Sequence, residues 1–195
     1  MVDSVRYVST RGNAPVLGFA DVVLAGLATD GGLYVPESWP QLPATPASRY
    51  TDVAMQVISP YVGNDIDHDT LSRLINEAYD TFRHPDVVPI VDLEPGHQLM
   101  ELFHGPTLAF KDVALQLLGR LFDHILSSRG EKVTIVGATS GDTGSAAIDG
   151  VKNCAHVDIV ILYPKGRVSD VQRRQMTTVD SPNVRTVAID GTFDD

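Results

Sequence analysis

The sequence has one cysteine, Cys154, so it can form no internal disulfide. A lone thiol fits a reducing compartment, and the cytoplasm is the expected location. No apolar run approaches the roughly 18 residues needed to span a bilayer. The opening Met1-Val2-Asp3-Ser4-Val5-Arg6 has no basic region followed by an apolar stretch, so neither a membrane partner nor a signal peptide is expected. Positive charge is scarce: 15 Lys and Arg stand against 25 Asp and Glu, a formal net charge of −10. Such a field repels phosphate in bulk and argues against a nucleic-acid partner. An anionic ligand would need a local site. His68, His84, His97, His104, His124 and His156 have no cysteine at ligand spacing, so no metal site is expected. Neither a P-loop nor the dinucleotide Gly-x-Gly-x-x-Gly fingerprint is present. There is no internal repeat.

What remains is an ordinary globular composition, 43% hydrophobic and 21% charged over 195 residues, enough for one domain or two small ones. The charge is uneven. Residues 51–101 hold ten acidic and two basic side chains, whereas residues 102–195 hold eleven and ten. A solvated helical surface accounts for the acidic middle. The compositional break is Ser38-Trp39-Pro40-Gln41-Leu42-Pro43-Ala44-Thr45-Pro46, with three prolines in seven residues, which predicts extended connecting chain. Before it, Gly18–Ala28 reads as a helix with Phe19, Val22, Val23 and Leu27 on one face, ended by Asp30-Gly31-Gly32. After it, Thr51–Val62 and Asp69–Phe82 read as helices, the second with a stripe of Leu71, Leu74, Ile75 and Ala78 and a cap from Asp69-Thr70 or the residues just before. Val87–Leu93, broken by Pro89, and Gln98–Phe103 are short strand candidates.

From Asp112 the rhythm changes. Asp112–Ser128 carries Ala114, Leu118, Leu121, Phe122 and Ile125 at helical spacing and is stopped by Gly130. Lys132–Gly137 is a β-branched run, followed by a Gly/Ser/Thr loop and a helix to about Gly150 or Asn153. Val157–Leu162 is a second strand, Pro164–Arg167 a loop, Ser169 to about Val179 a helix, and Val184–Ile189 a third strand. This alternation predicts an α/β fold with a parallel sheet covered by helices and right-handed crossovers. The sequence then stops at Gly191-Thr192-Phe193-Asp194-Asp195, directly after a strand. Three parallel strands make a small sheet with open edges, so the sequence is expected to be the front part of a longer chain.

Three segments carry equipment for chemistry. The first is His104-Gly105-Pro106-Thr107-Leu108-Ala109-Phe110-Lys111-Asp112. Of four lysines in the chain, Lys132, Lys152 and Lys165 fall at element ends or in a loop. Lys111 opens a largely apolar helix, where the macrodipole opposes a cation and apolar surroundings disfavour charge. Both favour the free amine that Schiff-base chemistry requires. Spacing alone does not separate this from a lysine that simply extends into water. His104, seven residues earlier, is more readily structural than catalytic.

The second segment is Gly137-Ala138-Thr139-Ser140-Gly141-Asp142-Thr143-Gly144-Ser145, between a strand and a helix. It offers exposed amides at a helix start for an anion, with hydroxyls from Thr139, Ser140, Thr143 and Ser145. The alternative is a tight turn with Asp142 as the helix cap. The third is Tyr163-Pro164-Lys165-Gly166-Arg167-Val168-Ser169, again after a strand, where ligands of parallel α/β sheets bind. Lys165 and Arg167 are either anion ligands or a solvated pair.

Together these residues resemble the threonine synthase family. The His104–Asp112 segment is similar to its pyridoxal-phosphate lysine segment. Ala138–Gly144 is similar to its glycine-rich loop, in the aspartate form of the bacterial and fungal branch. Tyr163–Ser169 and Val171–Met176 are similar to the segment that follows. Tyr7–Gly12 and Asp30–Pro36 are similar to the N-terminal domain. The resemblance implies a fold-type-II, tryptophan synthase beta-like architecture, with a small, mainly helical domain over 1–85 and part of a pyridoxal-phosphate-binding α/β domain over 86–195. It implies the lyase reaction of O-phospho-L-homoserine and water to L-threonine and phosphate, in threonine biosynthesis. Lys111 would carry the cofactor and shuttle protons. Phe110, Asp112, Ser140, Gly141, Asp142 and Thr143 would line it, with Asp142 near its phenolic oxygen. Thr139 and Ser140 would serve the substrate. Lys165 and Arg167 are the expected ligands of the substrate phosphate. Family members are roughly twice as long, so the cofactor-phosphate loop and the ring-nitrogen partner are expected outside this sequence, and the 195 residues alone are expected to be inactive. Serine or threonine dehydratase and cysteine synthase are the nearest alternatives. A nucleotide-binding module and a non-catalytic binding fragment are more distant ones.

Overall fold

The computed structural model describes residues 5–45, 47–192 and 194. The expectations that fall on Met1–Ser4, Pro46, Phe193 and Asp195 lie outside it. The chain divides into two compact units, Met1–Asn76 and Glu77–Asp195.

In the first unit, β1 (Tyr7–Ser9) and β2 (Tyr34–Pro36) pair antiparallel, Val8 opposite Val35. Three-residue strands leave almost no periodicity to read, and the hydrophobic pattern did not reveal these two. Tyr7 is buried, and its hydroxyl donates to the Tyr61 carbonyl at 2.7 Å. Asp30 gathers donors from Ser9 Oγ at 2.7 Å, Gly32 N at 2.9 Å and Asn13 N at 2.9 Å. These bonds, that of Ser9 first, hold its carboxyl below the usual range. Helix α1 covers Phe19–Ala25 only. Its last residue, Ala25, is three short of the expected end at Ala28, and Leu27 lies outside it and exposed. Helix α2 spans Tyr50–Val62. Helix α3 (His68–Tyr79) buries the stripe of Leu71, Leu74, Ile75 and Ala78, each worth roughly 1–3 kcal/mol by area removed from water. Its first turn is held by Asp67, whose Oδ1 accepts from Thr70 N at 2.9 Å.

The second unit begins with an antiparallel hairpin, β3 (Ile90–Glu94) and β4 (His97–Met100). The first strand starts only after Pro89, which cannot donate to a ladder. Helix α4 (Asp112–Arg129) buries Leu117, Leu121 and Ile125, one turn apart, with Leu126 beside them. Gly130 closes it in the left-handed conformation, its amide reaching the Leu126 and Ser127 carbonyls. Strands β5 (Val133–Ala138), β6 (Val157–Pro164) and β7 (Val184–Ile189) form a parallel sheet in that order. Helices α5 (Asp142–Val151) and α6 (Asp170–Thr177) occupy the two crossovers. Ile135, Ile159 and Val184 stand in register on the inner face, and Ile159 is fully buried. The opposite face is open: Val136 is 67% exposed. Because β5 and β6 run the same way, their carboxyl ends deliver the following loops to one edge of the sheet.

Candidate functional site at the sheet edge

Lys111 and Asp142 sit at the first turns of α4 and α5. What brings those turns together is a close crossing of the two helices. A Cβ on Gly119 would run into the Gly150 carbonyl, and a Cβ on Gly150 would lie 2.6 Å from the Leu115 carbonyl oxygen. Only hydrogen at both positions permits that approach. Beside the crossing, the buried Gln116 donates from Nε2 to Asp149 Oδ2 at 2.8 Å.

At the edge, Lys111 Nζ lies 3.0 Å from Asp142 Oδ2 and 4.2 Å from the centre of the Phe110 ring. The Lys111 side chain is 25% exposed. The bond from Lys111 holds the Asp142 carboxyl below the usual carboxylate range. Asp142 is therefore not the helix cap. That position is taken by Gly141 with no side-chain bond, and the carboxylate instead turns across to the lysine. The apolar setting expected for Lys111 is thus modified by a carboxylate and an aromatic face, both of which suit a cation.

The loop between β5 and α5 is built on Thr139. Its buried hydroxyl oxygen accepts from Gly141 N at 3.1 Å and Gly144 N at 2.9 Å. Ser145 Oγ turns back to the Gly141 carbonyl at 3.3 Å. Two of the four expected hydroxyls are thus spent inside the loop, while Ser140 and Thr143 stay exposed at its rim. Gly141 adopts φ 149°, ψ −86°, a region that L side chains rarely enter, and a Cβ there would meet Gln172 at 2.6 Å.

The remaining expected residues separate. Phe110 is 58% exposed beside the lysine. Asp112 is completely buried. Its Oδ2 accepts from Thr107 N at 2.8 Å and its Oδ1 from Thr107 Oγ1 at 2.7 Å. Burial raises its carboxyl against the pull of those bonds. It is therefore closed off from any bound molecule, contrary to its expected place among the lining groups, because its neighbour in sequence consumes both oxygens. Lys165 and Arg167 are exposed in the turn after β6, held by the backbone bonds Lys165 N to Ile189 O at 2.9 Å and Arg167 N to Pro164 O at 3.2 Å. Among the described residues neither side chain has an ion-pair partner, and the structure ties neither to Lys111. His104 Nε2 sits 2.6 Å from Glu101 Oε2, a local bond away from the lysine.

Sequence reading gave no role to Thr107, Gln172, Gln175 or Met176. The last three fall three and four residues apart in an otherwise charged helix, and that spacing is the signal that marks an inward face. The structure puts Met176 in the core and Gln175 Nε2 3.1 Å from the Thr107 carbonyl. A cavity of about 410 Å³ lies at the opposite, amino-terminal edge of the sheet. Its Lys132 and Lys152 are already paired with Asp158 and Asp149. Cys154, beside it, has its thiol pushed up to about 11 by burial. Among the described residues no three His, Cys, Asp or Glu side chains are grouped for a metal, and no helix is long and apolar enough to cross a membrane.

The sequence model described as "Threonine synthase N terminus" matches residues 6–79. The chain is 53% identical to threonine synthase of Pseudomonas aeruginosa across 97% of its own length and 42% of that protein. It is 46% identical to threonine synthase of Schizosaccharomyces pombe across 100% of its length and 41% of that protein. It superimposes on the crystal structure of PLP-bound threonine synthase from Brucella melitensis with a TM-score of 0.94 at 53% identity, covering 98% of this chain and 42% of that one. The chain therefore spans about two-fifths of the length of the relatives it matches.

Proposed function

The chain belongs to the threonine synthase family, and from that premise we propose that it supplies the lysine half of a pyridoxal-phosphate site acting on O-phospho-L-homoserine, converting it with water to L-threonine and phosphate. The observation that carries the reading is the Lys111–Asp142 contact of 3.0 Å at the carboxyl edge of a parallel sheet. A lysine amine stands at that edge with its direction fixed by a carboxylate that accepts from it.

The residues present fit the cofactor. Lys111 offers the amine for covalent attachment. Phe110 offers an exposed ring beside it. Gly141 lets the loop pack against Gln172 in a backbone conformation that a side chain would strain, and Ser140 and Thr143 offer hydroxyls at the rim. When bound, pyridoxal phosphate supplies the electron sink that stabilises carbanionic charge on the substrate. The chain's own residues do the rest. Lys111 Nζ is held in place by its hydrogen bond to Asp142 Oδ2. The same amine carries protons to and from the reacting carbons. Asp142, kept ionised by its neighbour, fixes the direction of Nζ. Thr139 keeps the loop in shape by satisfying two amides at once. Lys165 and Arg167, exposed on the same edge, attract the substrate's phosphate by charge. A lone cysteine accords with a reducing compartment such as the cytoplasm.

The test is phosphate release from O-phospho-L-homoserine by the whole protein with pyridoxal phosphate in excess, beside Lys111→Ala. Turnover that vanishes in the variant supports the reading, and turnover that survives contradicts it.

A further inference from the structure

Thr107 is pinned at three polar atoms. Its amide and its hydroxyl both donate to Asp112, at 2.8 and 2.7 Å, and its carbonyl accepts from Gln175 Nε2 at 3.1 Å. Asp112 is fully buried. It fills the space above Gly105 so closely that a Cβ on that glycine would run into its carboxylate. Between Thr107 and Lys111 lie only three residues, and one of them, Leu108, has φ +66°. A leucine adopts that backbone at a cost of about 1–2 kcal/mol, so the turn needs external restraint. Helix α6 supplies it from the other side, and its reach extends further. Gln172 stands against Gly141, and Met176 packs 2.9 Å from where a Cβ on Gly144 would sit. One helix thus braces both the segment that carries the lysine and the loop that carries its carboxylate.

We infer that Gln175 and Asp112 are positioning residues: they hold the Thr107 peptide from opposite sides and thereby set where Lys111 Nζ points. Neither touches a bound molecule. Each acts through Thr107, and the inference rests on Lys111 being the attachment residue. Placement matters steeply here, since a shift near 1 Å in a reacting group costs roughly 10²-fold in rate.

The test uses the whole protein and two variants. Gln175→Met keeps length and bulk and removes the donor. Thr107→Val keeps shape and removes the hydroxyl bond to Asp112. Each protein is mixed with pyridoxal 5′-phosphate across a pH series, reduced with borohydride at short times and digested. The label on Lys111 is then read relative to Lys132, Lys152 and Lys165 in the same digest, so that a general loss of structure moves all four together. The expected result is a fall of about 10-fold in the Lys111 ratio for both variants across the pH series, with the circular dichroism unchanged. An unchanged ratio, or a fall shared equally by the four lysines, overturns the inference. Absence of label on Lys111 in the unsubstituted protein is a different failure: it overturns the functional reading beneath.

Discussion

The loops after β5 and β6 leave the same edge of the same sheet, and the structure treats them oppositely. The first turns inward. Thr139 and Ser145 spend their hydroxyls on its own backbone, Gly141 is pressed against Gln172, and Asp142 is committed to Lys111. The second is held by backbone bonds and, at its far end, by Ser169 Oγ, which accepts from Gln172 N at 3.3 Å to cap α6, and it leaves Lys165 and Arg167 in solvent. Both loops look equally equipped for an anion in the sequence. The difference is that one loop is shaped by its own bonds while the other leaves its charge exposed, which on the proposed reading suits a resident cofactor at the first and a transient anion at the second.

The sharpest way to break this contrast is Lys111→Ala. It removes the proposed attachment amine and the partner of Asp142 together. Turnover by the whole protein is expected to fall by roughly 10³-fold or more, while the melting temperature moves little, since a half-exposed ion pair contributes little to stability.

Next is Thr139→Val, which keeps the shape of the side chain and strips the acceptor from two amides. Leaving buried donors unmet costs roughly 1–3 kcal/mol. Denaturant unfolding should show that loss, together with weaker retention of pyridoxal phosphate on dialysis. A variant as stable as the parent would mean that the loop is not held from within.

The open loop should respond in the converse way. Lys165→Ala with Arg167→Ala is expected to leave stability within about 0.5 kcal/mol and to raise KM for the phosphorylated substrate roughly tenfold. Two exposed charges each contribute at most about 1 kcal/mol to an ionic contact. The effect should shrink as salt is added. An unchanged KM would leave the two as a solvated pair.

The smallest effect concerns acid. The bond from Lys111 lowers the Asp142 carboxyl. Its stabilising contribution is therefore complete above the ordinary carboxylate value and fades as pH falls through the lowered one. Asp142→Asn should flatten that part of the stability curve by less than about 1 kcal/mol, because the side chain is nearly half exposed and screened. Curves that coincide would show that the pair carries no pH dependence.

These contrasts mark what the sequence could and could not reveal. The α4-β5-α5-β6-α6-β7 order was legible because each element is long enough to show its period, and Val184–Ile189 is placed to the residue. The strands Tyr7–Ser9 and Tyr34–Pro36 were not, because three residues carry no period. Lys111 stood out as a lysine opening an apolar helix. Asp142 stood out too, but its pairing with Lys111 did not, because that contact depends on two glycines, Gly119 and Gly150, meeting across helices. Asp112 was misplaced for a related reason: spacing puts it beside Lys111, and only the fold shows Thr107 folding back to take both oxygens.

On the proposed reading Lys111 is where pyridoxal phosphate is held. Reduction of the whole protein with borohydride in the presence of the cofactor, followed by peptide mapping, is the decisive measurement. A pyridoxyl label on Lys111 is expected. A label on Lys132, Lys152 or Lys165, with Lys111 unmodified, would contradict it.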